Sequence, residues 1–141
     1  MYLLDTNVVS ELRKPSSRID HRVRAWAART PSGDLYLSVI VLLELEMGVL
    51  AIERRDVVQG ERLRKWLQGQ VLPAFAERTL AIDATVARTC AKLHVPDRRP
   101  DRDALIAATA LSHSMTVVTR NVSDFASIDV PTINPWAEAT T

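Results

Sequence analysis

The segment Met1-Tyr-Leu-Leu-Asp5-Thr-Asn7 opens the chain and shows the arrangement that the rest of the sequence repeats. Its Tyr2-Leu3-Leu4 run is short and apolar, which predicts a buried strand, and Asp5-Thr6-Asn7 directly after it is typical of a helix cap. A buried strand that leads straight into a helix is typical of a parallel sheet covered by helices. The opening residues therefore place an aspartate at the carboxyl end of the first strand.

Strands and helices alternate along the remaining sequence. Continuously apolar runs predict further strands at 35–37, 80–82 and 115–119, with a weaker one at 130–133. Helices are predicted from a Ser16-Ser17 cap to about residue 29, from Ser38 to about 54, over about 57–75, from Asp83 onward and over 103–112. We therefore predict an α/β fold in which a mainly parallel central β-sheet is sandwiched by α-helices.

Composition predicts one soluble domain over residues 1–141. The net charge is +1, from 18 basic and 17 acidic residues, so the basic excess typical of nucleic-acid binders is missing. Cys90 has no partner cysteine, which suits a reducing compartment. The N-terminus lacks the basic-then-apolar order of a signal peptide, and no apolar stretch approaches the roughly 20 residues that span a bilayer. We expect a cytoplasmic protein that does not contact the membrane.

The helix after Ser38 carries two candidate buried carboxylates, Glu44 and Glu46. The neighbours of Glu44 on its helix face predict that its side chain points into the protein: Ile40, Val41, Met47, Gly48 and Ala51. Glu46 also has apolar neighbours, so periodicity does not choose between the two glutamates. A buried ionised carboxylate needs a proton, a partner or a metal. The simpler interpretation of either residue is a glutamate paired with a nearby arginine.

Other polar residues lie at the predicted ends of strands and helices. Asp5 follows the first strand, Asn121 and Asp124 follow the strand at 115–119, and Asp103 opens an alanine-rich helix that Asp101 could cap instead. The carboxyl ends of parallel strands meet at one edge of a sheet, where ligands bind. Clustered carboxylates repel one another unless a cation or protons neutralise them. Oxygen ligands alone select hard ions such as Mg²⁺ or Mn²⁺.

Five motifs occur in order: Leu3-Leu-Asp5-Thr-Asn-Val-Val-Ser10, Ser38-Val-Ile-Val-Leu-Leu-Glu44-Leu with Gly48, Asp103-Ala-Leu-Ile-Ala-Ala-Thr-Ala110, Val118-Thr-Arg-Asn121-Val-Ser-Asp124-Phe and Asn134-Pro-Trp136. With these motifs the sequence resembles the PIN-domain ribonuclease toxins of the VapC family, which belong to bacterial toxin–antitoxin pairs, and especially the FitB-like branch. The resemblance runs from Leu3 to Trp136, and it implies a PIN-like fold.

The resemblance also implies roles for individual residues. Asp5, Glu44 and Asp103 match the three core acids of the family, which favours Glu44 over Glu46. The residue that completes the site is left open between Asn121 and Asp124: Asp124 would supply a fourth carboxylate, and Asn121 would bind the metal or position water through its amide oxygen. FitB-like relatives have an aspartate in place of Asn121, whereas many VapC-type members share this asparagine and carry an aspartate three residues later, where Asp124 stands here. Supporting hydroxyl groups are implied at Thr6 and Thr119.

The implied activity is Mg²⁺- or Mn²⁺-dependent hydrolysis of RNA phosphodiester bonds. Basic residues near the acids would hold the RNA backbone: Arg120, Arg98, Arg99 and Arg102. The implied partners are a cognate antitoxin, a second copy of the chain in a homodimer, and a larger hetero-oligomer with antitoxin, which alone contacts promoter DNA. Two alternatives stay open: a catalytically weak PIN domain that mainly binds antitoxin or nucleic acid, motivated by Asn121, and an unrelated α/β phosphoesterase.

Overall fold

The computed structural model describes residues 1–137, and these form a five-stranded, entirely parallel sheet. The strands are β1 (Tyr2–Leu4), β2 (Leu35–Ser38), β3 (Thr79–Leu80), β4 (Thr116–Val118) and β5 (Thr132–Ile133), in the spatial order β3-β2-β1-β4-β5. Strand β1 is therefore central, and its carboxyl end lies in the middle of one sheet edge. The predicted domain extends to residue 141, and residues 138–141 lie outside the described residues.

Helices connect the strands in the predicted alternating order. They are α1 (Thr6–Leu12), α2 (His21–Ala28), α3 (Val39–Arg55), α4 (Val57–Trp66), a π-helical turn (Leu67–Val71), α5 (Leu72–Ala74), α6 (Ala84–Leu93) and α7 (Asp101–Ser112). The predicted α/β fold around a central parallel sheet is confirmed. Among the described residues, no helix is long and apolar enough to cross a membrane.

The predicted caps of three helices are present. The Ser38 hydroxyl accepts the backbone N–H of Val41 at the start of α3, over 3.2 Å. The Asp83 carboxylate accepts the N–H of Val86 at the start of α6, and Asp5 caps α1. Each side chain satisfies a backbone donor that has no partner within its own helix. The polar residues after the strands therefore start the helices at defined positions.

Alanine residues allow α7 to pack closely against its neighbours. Ala107 and Ala110 lie with the main core around the sheet, while Ala104 and Ala108 join Val86 of α6 in a second apolar cluster. All four alanines are fully buried. Close packing on both sides fixes the position of α7, and with it the acidic residues in its first turn.

Helix α2 begins later than predicted. Its cap is Asp20, whose carboxylate accepts the N–H of Arg22, and Ser16 and Ser17 lie in the preceding turn. The position of Asp20 is fixed because its own N–H donates to the buried carboxylate of Glu11, over 3.0 Å. The prediction of a Ser16-Ser17 cap was wrong, since a contact with α1 selects the later start.

Other boundaries moved by a few residues. Strand β3 covers Thr79–Leu80 and not 80–82, and residues 81 and 82 connect it to Asp83, the cap of α6. The predicted helix over 57–75 is helical but contains the π-helical turn. Helix α7 begins at Asp101, and Pro100 occupies the cap position without a capping side chain, so Asp101 is not the cap. Asp103 consequently lies within the first turn of α7.

Candidate functional site

Asp5 lies between β1 and α1, and its side chain joins two neighbouring strand ends. The residue is only 8% exposed. Its Oδ1 accepts the backbone N–H of Thr6, and its Oδ2 accepts the hydroxyl of Thr119, each over 2.8 Å. Thr119 directly follows β4, which pairs with β1. The first predicted acid is therefore held in one orientation at the carboxyl edge of the sheet.

Thr119 is the centre of a small hydrogen-bond network. Its buried hydroxyl oxygen accepts the backbone N–H of Asn121 over 3.0 Å and lies 3.5 Å from Nδ2 of Asn7. Asn7 in turn accepts the backbone N–H of Arg120 over 3.2 Å. Asn7 was not among the predicted site residues, although its place in the Asp5-Thr6-Asn7 motif was the available signal. Asn121 joins this network through its backbone, while its side chain is exposed.

Glu44 reaches the same region from α3. Its Oε1 accepts the hydroxyl of Thr6 over 2.8 Å, and its Oε2 lies 3.7 Å from Nη1 of Arg102. Glu44 is only partly enclosed: Ile40 and Val41 on its helix face are buried, whereas Met47 and Gly48 are exposed. This face of α3 borders a cleft, and the Glu44 side chain keeps 26% of its exposure.

Glu46 has a different environment. Both of its carboxylate oxygens accept Nη1 of Arg64, over 2.6 and 2.8 Å, and the same guanidinium also pairs with Glu53. Helix α4 can carry Arg64 this close because Gly60 packs on α3, where a Cβ would lie 2.6 Å from the Cα of Glu53. Glu46 thus forms close hydrogen bonds with Arg64 through both oxygens, whereas Glu44 accepts from Thr6 and has only a longer contact with Arg102, at 3.7 Å.

The remaining two acids come from α7 and from the turn after β4. Asp103 is half-buried in the first turn of α7, and Asp124 is exposed in a 3₁₀ turn, Val122–Phe125. Burial raises the pKa of the Asp103 carboxyl, and the charges of Asp124, Asp5 and Glu44 raise it further. The four acids are therefore close enough to repel one another.

The pKa of the Asp5 carboxyl is also raised. Its burial raises its pKa above the usual value, and the charges of Glu44 and Asp124 act in the same direction. The hydrogen bonds from Thr119 and Thr6 favour the ionised form and oppose this shift. The protein holds Asp5 as a hydrogen-bond acceptor in a place where its negative charge is costly, which is the electrostatic environment that a cation would relieve.

The donor set fits a hard divalent cation. Within residues 1–137, no group of three or more His, Cys, Asp or Glu side chains is arranged so that it could hold a metal ion by itself. Mg²⁺ does not need a cage made by the protein alone, because it keeps several waters and is usually bound through one or two carboxylates together with substrate phosphates. Carboxylate oxygens without thiol or imidazole ligands favour Mg²⁺ or Mn²⁺.

Two depressions adjoin Glu44. An open cleft of about 490 Å³ is lined by Glu44, Pro100, Asp101, Arg102 and Asp103. A second groove, of about 320 Å³, lies between α1, α3 and α4 and is lined by both apolar and polar residues, Glu44 among them. Its lining includes Thr6, Arg13, Leu45, Val49, Leu63 and Trp66. Glu44 therefore lines both the open acidic cleft and the second groove.

The predicted RNA-binding arginines occupy four different environments. Arg102 is paired with Glu44, and Arg98 is exposed and lies 3.5 Å from Asp101. Arg120 directly follows Thr119 in the chain, and its guanidinium lies 5.3 Å from the ring centre of Trp136. Arg99 donates to the carbonyl oxygens of Leu93 and Ser127, over 2.7 and 3.2 Å, so it ties its loop to the segment after the 3₁₀ turn.

The fold and the acid cluster together define a class of protein. The chain matches the family model of the PIN domain over residues 2–131. It therefore belongs to the PIN domain family.

Named relatives within that family are similar over nearly the whole chain. Sequence identity is 38% over 147 residues to the VapC ribonuclease Y4jK of Sinorhizobium fredii, covering 99% of this chain and 100% of the relative. It is 40% over 144 residues to Toxin FitB of Neisseria gonorrhoeae, covering 96% and 99%. The structure matches that of FitAcB from Neisseria gonorrhoeae with a TM-score of 0.87 at 38% identity, covering 96% of this chain and 99% of the other. Matched structures include toxin–antitoxin complexes, some of them bound to DNA.

Proposed function

We propose that this chain is the toxin of a type II toxin–antitoxin system and acts as a Mg²⁺- or Mn²⁺-dependent endoribonuclease. The observation that carries the proposal is the position of Asp5, which Thr119 holds at the carboxyl edge of β1 and β4 within the electrostatic influence of Glu44 and Asp124. Asp103 experiences the charges of the same three acids. A second support is the similarity to a VapC ribonuclease over 99% of the chain.

The four carboxylates would hold the ion, and their supporting contacts would orient them. When bound, a divalent ion supplies positive charge that polarises a phosphodiester and activates water. Thr119 orients Asp5 by donating to Oδ2, and Thr6 orients Glu44 by donating to Oε1. Each hydroxyl group holds one carboxylate in a defined orientation. Hydrogen bonds of this kind from neighbouring groups orient and tune metal ligands.

We assign the fourth carboxylate to Asp124 and a water-positioning role to Asn121. The charge of Asp124 acts on both Asp5 and Asp103, which supports its place in the cluster. The backbone of Asn121 is fixed by Thr119, so its amide side chain starts from a defined position at the rim of the cluster. An amide cannot supply negative charge, but it can accept a hydrogen bond from water.

The RNA backbone would be held by arginines around the acidic cleft. Arg120 follows Thr119 and is oriented by Trp136, while Arg98 and Arg102 lie beside acids that line or adjoin the cleft. Phosphate contacts position a strand and carry no sequence information, whereas RNA sequence is read from unpaired bases. Arg99 would contribute by holding its loop in place, since its guanidinium already donates to two carbonyl groups.

We further propose that a cognate antitoxin covers the groove between α1, α3 and α4. The groove is lined by apolar residues such as Leu45, Val49 and Leu63 and also by Glu44, so a bound segment would reach this acid. An arginine of that segment would form charge-assisted hydrogen bonds with it. The proposal includes a homodimer, a larger assembly with antitoxin, promoter DNA bound only through the antitoxin, and a cytoplasmic location.

The decisive experiment is cleavage of total RNA by purified, antitoxin-free protein. Reactions with Mg²⁺ or Mn²⁺ are compared with reactions in EDTA, and the Asp5→Asn variant is the matched control. Discrete fragments that need the metal and are missing with the variant support the proposal. Equal cleavage by both proteins, or cleavage in EDTA, contradicts it.

A second candidate function is a PIN domain that binds antitoxin or nucleic acid with little catalysis. Asn121 motivates it, because the resemblance to the FitB-like branch implies a carboxylate at the position where this chain has an amide. Folded protein that binds Mn²⁺ and RNA without cleaving any RNA in the pool would favour this candidate over the nuclease.

A further inference from the structure

We propose that Arg102 is an internal counter-cation of the acid cluster, which competes with the divalent metal for Glu44. The inference rests on the metal-dependent function proposed above. Its basis is the ion pair between Nη1 of Arg102 and Oε2 of Glu44, at 3.7 Å. No other basic side chain of residues 1–137 forms an ion pair with Asp5, Glu44, Asp103 or Asp124.

The two oxygens of Glu44 have different partners. Oε1 accepts a hydrogen bond from Thr6 over 2.8 Å, so one half of the carboxylate is fixed to α1. Oε2 faces Arg102 at a distance beyond hydrogen-bond range, and the Arg102 side chain is 51% exposed. Arg102 can therefore leave while Thr6 keeps the carboxylate in place. Oε2 is then the atom for which the Arg102 guanidinium and the divalent metal ion compete.

Arg102 also acts on the neighbouring acid. Asp103 is the next residue in α7, so the positive charge of Arg102 also lies close to a second acid of the cluster. Both residues line the same cleft as Glu44. The guanidinium therefore supplies, in part, the neutralisation that a divalent ion would supply more completely, and the two cations exclude each other by charge repulsion.

The Arg102 side chain is weakly held apart from its pair with Glu44. Its Nη1 lies only 3.7 Å from the Sδ of Met47, an exposed residue that makes a weak acceptor, so no second strong partner holds the side chain. A guanidinium released at the rim of the cleft is suited to a phosphate of the RNA. Metal binding and RNA binding would then favour each other, because each one removes Arg102 from Glu44.

The test is a Mn²⁺ titration followed by electron paramagnetic resonance of the free ion. Four proteins are compared with wild type: Arg102→Gln, Arg98→Gln, Glu44→Gln and the double variant Glu44→Gln/Arg102→Gln. We expect Arg102→Gln to lower the Kd for Mn²⁺ about three- to fivefold, the size typical of a half-exposed ion pair. Arg98→Gln removes the same charge from an exposed neighbour that pairs with Asp101, and it should change the Kd less than about twofold.

The double variant separates contact from general charge. If Arg102 acts through Glu44, its replacement changes little once Glu44 is a glutamine. An equal gain in Mn²⁺ affinity in that background, or an equal effect of Arg98→Gln, would overturn the inference. Wild-type protein that binds no Mn²⁺ would overturn the proposed metal site as well, whereas binding that Arg102→Gln leaves unchanged would overturn this inference alone.

A second readout follows the Arg102 side chain directly in the wild-type protein. The Nε–H signal of Arg102 in an NMR spectrum is identified by its loss in Arg102→Gln. This signal should shift on addition of Mg²⁺, and the shift should be missing in Glu44→Gln. A signal that does not respond to saturating Mg²⁺ would contradict displacement.

Discussion

The hydroxyl of Thr119 lies 2.8 Å from Oδ2 of Asp5, and this hydrogen bond joins residues that are 114 positions apart in the chain. It connects the ends of β1 and β4 at the point where the acid cluster forms. Because both residues are buried, their geometry is set by the packing of the sheet. The central acid is therefore fixed in place by the fold.

Replacing Thr119 by valine tests this contact. The variant removes the donor to Asp5 and the acceptor for the N–H of Asn121. We expect RNA cleavage to fall about 10- to 100-fold, the usual cost of removing a group that orients a metal ligand. The control is Thr109→Val, since Thr109 is equally buried but donates only to the Leu105 carbonyl within α7. Equal losses in both variants would contradict a specific role of Thr119.

The two glutamates of α3 should separate activity from stability. Glu44→Gln is expected to lower cleavage by more than about 100-fold, beyond the loss typical of groups that only orient a ligand. Glu46→Gln weakens its pair with Arg64, which keeps Glu53, so we expect a loss of about 0.5 kcal/mol in unfolding free energy and unchanged cleavage. Denaturant unfolding and RNA cleavage measure the two effects. A reversed pattern would show that Glu46 is the functional residue.

Asp124 and Asn121 should differ in what they contribute. Asp124→Asn removes a charge that acts on Asp5 and Asp103, so the Kd for Mn²⁺ should rise, by up to about tenfold. Asn121→Ala should leave that Kd unchanged and lower the cleavage rate at saturating Mn²⁺. Ser123→Ala, an exposed change in the same turn, is the control for both. A weaker Mn²⁺ affinity in Asn121→Ala would mean that the amide is a metal ligand.

Glu11 predicts a pH dependence of stability that is independent of the acid cluster. Burial raises the pKa of the Glu11 carboxyl, but hydrogen bonds from Lys14 and from the N–H of Asp20 outweigh it, so the pKa lies below its usual value. A lowered pKa stabilises the folded protein above the unfolded-state value of about 4.3, and this contribution is lost as the pH falls through the folded-state pKa. The contribution amounts to about 1 kcal/mol.

Unfolding free energies measured from pH 7 down to pH 3 test this sign. Glu11→Gln should be less stable than wild type at pH 7, and the difference should shrink on acidification. Glu77→Gln, at an exposed position, should parallel wild type at every pH. A difference that grows below pH 4 would mean that Glu11 is protonated more readily in the folded state than in the unfolded one.

The parts of the fold that depend on local sequence were predictable. Short apolar runs lead into polar residues that cap the next helix. Asp5 caps α1, Ser38 caps α3 and Asp83 caps α6, as expected. The cap of α2 was missed because Asp20 is selected by Glu11, a residue of another helix. Local propensity does not contain that contact.

The candidate site was predictable in its residue types and less so in its geometry. Periodicity did not separate Glu44 from Glu46, because the distinction depends on Arg64, which α4 brings to Glu46 through the close approach at Gly60. The pairing of Arg102 with Glu44 likewise joins α7 to α3. Contacts between elements that are distant in sequence decide which acid faces the cleft, and one sequence alone does not specify them.

The most direct test measures RNA cleavage and Mn²⁺ occupancy on the same samples, for wild type and Asp103→Asn. We expect the wild-type cleavage rate to rise in step with Mn²⁺ occupancy, and both curves to shift to higher Mn²⁺ concentration in the variant. Circular dichroism spectra should show that both proteins are folded. Cleavage that persists without bound Mn²⁺, or that Asp103→Asn leaves unchanged, would contradict a metal-dependent nuclease built on this acid cluster.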